Sequence, residues 1–245
     1  MKVMILAAGR GQRMLHLTEN QPKPLVKVAG IPLIEWHIRR LVAQGFNEII
    51  INHAYLGEKL VDYLKDGSHL GAKITYSAEE TALETAGGIR FASHLLGDEA
   101  FLVINGDIFT DFNFHEQLKY LKSSDYDGKT ILEKLHDQEI LAHLWLIPNP
   151  AHNSKGDFSF RPYKNLTYIG NQLEYTFSGI GVYHPALFSS IAIGEKAGLA
   201  SVLRQAISNL KVTGDLFTGL WQDIGTPERL RWMEEYIAKN NLKSA

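Results

Sequence analysis

Short apolar runs alternate with helical periodicity along the first half of the chain. Met1–Ala7 is a strand-like run with a long loop behind it. Ile34, Ile38, Leu41 and Val42 recur at helical spacing, and Gly45 stands where that helix would stop. Glu48–Asn52 (EIIIN) reads as a buried strand, Gly57–Leu64 as a helix and Lys73–Ser77 as a strand. Ala86–Leu95 is helical again, and Ala100–Asn105 (AFLVIN) is the next strand. Asn113 followed by Glu116 has the form of a helix start ahead of QLKYLK. Strands apolar on both faces, separated by amphipathic helices, predict a largely parallel sheet with helices on both sides.

The second half changes rhythm. Ser123–Glu139 is polar and charged, and is expected to be a surface insertion. AHLWLI, DFSFRP, LTYI, QLEYTF and GIGVYH then follow as short strands between Asn, Gly and Pro turns, as in an appended β layer. Helices are predicted at Pro185–Ile191 and Leu199–Leu210. A last one starts at Thr226-Pro227, where Thr caps and Pro takes the first helical position. No repeat or linker interrupts the chain. The expected fold class is α/β: a Rossmann-like, mostly parallel sheet with flanking helices and a β-rich elaboration in the second half. It is expected to form a single domain over residues 1–245.

Composition then removes several functions. A net charge of −2 supplies no basic field for non-specific nucleic-acid binding. The absence of cysteine excludes disulfides and thiolate metal sites. No apolar run approaches the ~20 residues of a membrane span, and the N-terminus reads as a strand rather than a signal peptide. The expected location is the cytoplasm, with neither nucleic acid nor membrane as partner. The ten histidines show no HExxH-type spacing. His53, His94, His136, His152 and His184 are read as structural or surface residues, and Phe177, Tyr183, Trp221 and Trp232 as core.

In open parallel sheets ligands gather beyond the carboxyl ends of the strands. The loops there carry AGRGQRM, HAYLG, AEETALETAGG and GDIFTD. Gly9 and Gly11 fit the first two glycines of a dinucleotide fingerprint, but Met14 stands at the third. P-loop frames counted from Gly9 and Gly11 end on Met14 and His16 and also fail. Even so, the two glycines can present backbone N–H groups to anionic oxygens. Arg13 adds a planar cation suited to phosphate. Lys23, between Pro22 and Pro24, is a cation on a stiff segment.

LAAGRGQRM followed by PKPLVKVAG resembles the signature of the sugar-1-phosphate nucleotidyltransferases. The resemblance implies that a nucleoside triphosphate and a sugar 1-phosphate are joined, with release of pyrophosphate and with Mg²⁺ present. It makes Arg13 and Lys23 the expected catalytic cations. It places Ala7, Ala8, Gly9, Gly11, Arg13, Lys23, Glu79, Leu83, Glu84 and Thr85 at the nucleotide, with Glu79 accepting from the base. It assigns Asp107 and Asp223 to the metal, with Asp111 equally explained as part of a helix start. Asn105, Asp157 and Gly179 are the candidates for the sugar.

Longer stretches, among them INHAYLGEKLVDYLKDGSHLG, PNPAHNSKGDF and FSGIGVYHPALF, resemble a uridylyltransferase branch of that family. That branch acts on N-acetylmuramic acid α-1-phosphate in peptidoglycan recycling, so UTP and this sugar phosphate are the expected substrates. The EEKP segment of other relatives is missing, and GDFSFRP (Gly156–Pro162) stands in its place. Mannose-1-phosphate guanylyl transfer is the alternative within the family, and an inactive regulatory homologue is the alternative of another class. The sequence leaves the oligomeric state open.

Overall fold

The computed structural model describes residues 1–121, 128–161, 164–168 and 172–242. In chain order, β1 (Val3–Leu6) leads through a helical turn at Gln12–Thr18 to a small ribbon, β2 (Lys27–Val28) and β3 (Ile31–Pro32). Then come α1 (Leu33–Ala43), β4 (Glu48–His53), α2 (Gly57–Leu64), β5 (Lys73–Ala78), α3 (Glu84–Phe91), α4 (Ser93–Leu96) and β6 (Phe101–Asn105). A short strand β7 (Ile108–Thr110) precedes α5 (Phe114–Tyr120), α6 (Ile131–His136) and β8 (Ala142–Pro148). β9 (Ser159–Phe160), β10 (Leu166–Thr167) and β11 (Tyr175–Tyr183) follow. The chain closes with α7 (Leu199–Ser208), β12 (Val212–Leu216), β13 (Trp221–Asp223) and α8 (Pro227–Asn240).

The main sheet runs β12-β8-β11-β6-β1-β4-β5. β1 pairs in parallel with β4 and β6, and β4 with β5. β11 is antiparallel to both β6 and β8, and β12 is parallel to β8. This corrects the appended β layer expected from the second half. β8, β11 and β12 continue the first sheet, whereas β9 and β10 form a separate ribbon. QLEYTF and GIGVYH are likewise one strand, β11, with a register shift between Phe177 and Ile180. Gly179 sits in that irregularity with φ +83°, a conformation that favours glycine.

Alternation in the apolar strands divides the core. Val3, Ile5, Ile49, Ile51, Leu102 and Ile104 face α1, α2, α5 and α6, whereas Met4, Ile50, Phe101 and Val103 face α3, α4 and α7. A third cluster seats α8 (Leu230, Met233, Ile237) against Met14, Val28, Trp36 and Phe109. This fixes the loop after β1 from below. Local signals start and stop the helices where expected. Gly45 has φ +86° after α1, the Asn113 side chain accepts from Glu116 N–H, and Thr226 accepts from Arg229 N–H.

Two further expectations fail. Residues 123–127 of the supposed insertion lie outside the described residues, but the rest of it is no surface excursion. α6 opens with a capping box of Thr130 and Glu133 and buries Ile131 and Leu135 in the core. Trp232 is not core either: it is 46% exposed on α8, stacked on Tyr236. Pro162 at the end of GDFSFRP and Ile169 at the end of LTYI lie outside the described residues.

His37 on α1 is fully buried, and its Nε2 has no hydrogen-bond partner. Burial first, then the nearby Arg40, lowers its pKa from 6.5 to about 4. Unfolded chains therefore bind a proton near pH 6.5 that the folded protein refuses until about pH 4. Stability should be at its full value above pH 6.5 and fall by about 3 kcal/mol towards pH 4 through this one group. In the metal-free protein, His37→Gln is expected to flatten that part of the Tm-against-pH curve. An unchanged slope would show that His37 does not carry it.

Candidate active site

β1, β4 and β6 end side by side, with Leu6 in register with both Asn52 and Asn105. Beyond these ends lies a cleft of about 620 Å³. One wall is the loop after β1, from Ala7 through Arg13. The opposite wall is Ala82, Glu84 and Thr85, and Asn52, Asn105 and Asp107 form the floor. Of the residues expected at the nucleotide, Ala7, Ala8, Gly9, Gly11, Arg13, Lys23, Glu84 and Thr85 all line this space, as does Asn105 from the sugar set.

Lys23 begins a helical turn between its two prolines and is only 7% exposed. Its ammonium lies 2.6 Å from Asp107 Oδ2. Gly11 makes room for the lysine stem. Its φ is +66°, and a Cβ there would lie 2.8 Å from Lys23 Cβ. Gly9 has nothing within 4 Å of such a Cβ, so its backbone is open to a ligand.

Asp107 and Asp223 come together through a ladder that the sequence reading missed. β7 pairs antiparallel with β13, Asp223 opposite Ile108, and Ile224 N–H donates to Asp107 O at 2.8 Å. Asp223 Oδ2 accepts from Arg229 at 2.9 Å, while its Oδ1 is buried without a hydrogen-bond partner. Gly225 lines the cleft beside it. A Cβ on Gly225 would lie 2.7 Å from Asp223 Oδ1 and 3.1 Å from an Arg13 guanidinium nitrogen. Arg13, Lys23 and Asp107 thus line one cleft, and Asp223, itself outside the lining, lies beside the lining residues Gly225 and Arg13. His152 is 3.8 Å from Asp223 and stacks on Trp221, and burial, then Arg229, lowers its pKa.

This donor set fits a hard divalent cation. Two carboxylates, Asp107 in the turn before β7 and Asp223 at the end of β13, the latter with an unsatisfied buried oxygen, suit Mg²⁺, which takes few protein ligands and keeps waters and phosphate oxygens. Among the described residues no cluster of three or more His, Cys, Asp or Glu forms a fuller cage.

Other expected residues lie outside the lining. Glu79 is buried with both oxygens engaged: Oε1 accepts from Asn52 Nδ2 at 2.7 Å, and Oε2 from Leu83 N–H at 2.8 Å. Burial is the main cause of its raised pKa. Both oxygens are thus already held by the protein, and Glu79 is not among the residues that line the cleft. Leu83 is itself buried. Asp157 accepts from Asn153 Nδ2 at 3.0 Å and from Phe177 N–H at 2.8 Å, which makes it a brace of the β11 irregularity rather than a cleft residue. Gly179 is buried behind Asn105, and a Cβ there would lie 2.8 Å from Asn105 Nδ2. Asp111 is exposed and outside the lining. Asn52, Arg10, Gly106, Lys196 and Gly225 are lining residues that the sequence reading did not assign.

With this geometry in hand, comparison with known proteins is decisive. Residues 2–140 match the family described as Nucleotidyl transferase. The chain belongs to that family. As a sugar-1-phosphate nucleotidyltransferase it has relatives of several specificities. It is 48% identical over 235 residues to the N-acetylmuramate alpha-1-phosphate uridylyltransferase of Neisseria meningitidis serogroup B, covering 94% of this chain and 96% of that one. It is 28% identical to a mannose-1-phosphate guanyltransferase of Gibberella zeae, covering 93% of this chain but 62% of that longer protein. A structure described as a putative glucose-1-phosphate thymidylyltransferase from Bacillus anthracis superposes with a TM-score of 0.80 at 20% identity, over 99% of this chain and 97% of that one. This last likeness establishes the shared fold of the transferase. No helix among the described residues of this nucleotidyltransferase is long and apolar enough to cross a membrane.

Proposed function

We propose that this enzyme transfers a uridylyl group from UTP to N-acetylmuramic acid α-1-phosphate with the help of Mg²⁺. The products are the UDP-sugar and pyrophosphate, as peptidoglycan recycling in the cytoplasm requires. The observation that carries the chemistry is the buried Lys23 ammonium at 2.6 Å from Asp107 on the floor of the cleft. The 48% identity along nearly the whole of both chains supports the choice of base and sugar.

The reaction is a displacement at the α-phosphorus. An oxygen of the sugar phosphate forms a new P–O bond there. The bond to the bridging oxygen of pyrophosphate breaks, and its electron pair leaves with pyrophosphate. The attacking phosphate is already ionised near neutral pH, so no general base is needed. The obstacle is repulsion between two polyanions, and positioned positive charge removes it. In this reading Lys23 sits at the α-phosphate and Arg13 holds the leaving pyrophosphate together with the amides of the Gly9–Gly11 turn. Asp107 and Asp223 would hold Mg²⁺, which when bound would supply further neutralising charge and a template. Asn105 serves the sugar directly, and Gly179 and Asp157 serve it by shaping the floor and the bulge behind it.

The test is a matrix of UTP, GTP, CTP and dTTP against N-acetylmuramic acid, mannose and glucose 1-phosphates, read by pyrophosphate release. UTP with the muramic acid phosphate is expected to exceed every other pair by at least ~10-fold in kcat/KM, since a site built to hydrogen-bond one base rejects others strongly. Preference for GTP and mannose 1-phosphate would instead establish the guanylyltransferase reading.

A further inference from the structure

We propose that Glu79 and Asn52 are a positioning pair that locks the two walls of the nucleotide cleft together, rather than a reader of the base. The proposal rests on the nucleotidyl-transfer reading of the cleft and not on which base or sugar is used. Three hydrogen bonds form one buried chain. Ala7 N–H donates to Asn52 Oδ1 at 2.9 Å, Asn52 Nδ2 donates to Glu79 Oε1 at 2.7 Å, and Leu83 N–H donates to Glu79 Oε2 at 2.8 Å. The first bond holds the start of the wall that runs from Ala7 to Arg13. The last holds the start of the opposite wall, since Leu83 lies between the lining residues Ala82 and Glu84.

The partners also fix each other's orientation. An ionised carboxylate only accepts, so Asn52 must turn its NH₂ to Glu79 and its oxygen to Ala7. Both residues are buried, Asn52 at 2% and Glu79 at 6% exposure. The fold reserves space for the pair as well. A Cβ on Gly88 of α3 would lie 2.7 Å from Glu79 Oε1 and 2.8 Å from Asn52 Nδ2. The β4–β5 register, with Asn52 opposite Ser77 and His53 opposite Ala78, and the bond from Glu79 N–H to His53 O at 2.8 Å bring the two side chains within reach.

The chain of bonds can be rebuilt with its polarity reversed, and this gives the test. Glu79→Gln alone sets an NH₂ against the Asn52 NH₂ or leaves Leu83 N–H unpaired. Asn52→Asp alone sets two carboxylates together. In the double variant N52D/E79Q, the introduced carboxylate can accept from both Ala7 N–H and the introduced glutamine NH₂, and the glutamine oxygen can accept from Leu83 N–H. Each variant is measured by nucleoside triphosphate Kd and by KM and kcat with all four nucleotides, alongside Tm.

Each single variant is expected to weaken nucleotide binding roughly 10-fold, the effect of one unpaired buried group. The loss should fall on all nucleotides alike and more on KM than on kcat. The double variant should return to within about threefold of the parent. A change in base ranking in E79Q would overturn the proposal in favour of base reading. So would a double variant no better in Kd than the singles, including one that regains only its Tm. If either single fails to fold, the double still decides through its Kd. A parent that binds a nucleotide but transfers it to none of the tested sugars would defeat the proposed function while leaving this Kd test intact.

Discussion

Lys23→Met is expected to lower kcat by ~100–1000-fold while leaving the protein folded, the usual cost of losing one preorganised charge that faces the developing transition state. Methionine is chosen because it separates two things the lysine does. Its aliphatic stem fills the space that Gly11 vacates, where a Cβ would come within 2.8 Å. Its ammonium pairs with Asp107 at 2.6 Å. Methionine keeps most of the first and removes the second. The Asp107 side chain is 38% exposed, so water can replace the lost partner. Tm should therefore fall by only a few degrees. The loss should appear in kcat more than in the KM for UTP, because in the proposed reaction the ammonium acts at the reacting phosphorus rather than at the base. Lys23→Ala should show the same kinetic loss with a larger fall in Tm, since it also empties the space beside Gly11. A kcat within tenfold of the parent for the methionine variant would remove Lys23 from the mechanism.

How much of this was written in the sequence depends on the range of the signal. The strands and helices of the first half follow local periodicity, and the structure keeps most of them to within a few residues: EIIIN becomes β4 and Gly57–Leu64 becomes α2, although the helix expected over Ala86–Leu95 is split at Ala92 into α3 and α4. The second half misled because pairing partners are not local. Nothing in QLEYTF or GIGVYH announces that both belong to one bulged strand bridging β6 and β8. Polarity also misled at α6, where a capping box looks like loop chemistry until Ile131 and Leu135 are seen in the core. In the site, the glycine loop and the proline-flanked lysine were legible, because backbone conformation and chain stiffness are local properties. The direction in which a carboxylate faces was not. Glu79 and Asp157 have the right chemistry for ligands, yet both give their oxygens to the protein. One signal was read only in part. β6 ends in Ile104-Asn105 and β4 carries Ile51-Asn52 just before its last residue, and these amides beside the end of β1 line the cleft on each side, yet only Asn105 was assigned.

Asp223→Asn is the second substitution with a large expected effect, and it separates a metal ligand from a structural ion pair. Asp223 has two oxygens in different circumstances. Oδ2 holds Arg229, in the first turn of α8, at 2.9 Å, whereas Oδ1 is buried and unpartnered beside Gly225. If anchoring α8 were its only purpose, the unsatisfied oxygen would be a defect, since burying an unpaired polar atom costs about 1–3 kcal/mol. The proposed cation would give that oxygen its partner. Asparagine keeps an oxygen for Arg229 but removes the negative charge that a hard cation needs. Activity at fixed Mg²⁺ is therefore expected to drop ~100-fold or more. The Mg²⁺ concentration for half-maximal rate should rise at least ~10-fold, the rise in Tm that Mg²⁺ and UTP give the parent should shrink, and the Tm of the metal-free protein should move little. An ion pair alone predicts the reverse: a lowered Tm without metal and an unchanged Mg²⁺ titration. Asp107 lies in the turn just before Ile108, the residue opposite Asp223, and is the other ligand proposed for the cation. Asp107→Asn should shift the Mg²⁺ titration in the same direction. The two changes together should be less than multiplicative, because both remove charge from one shared cation.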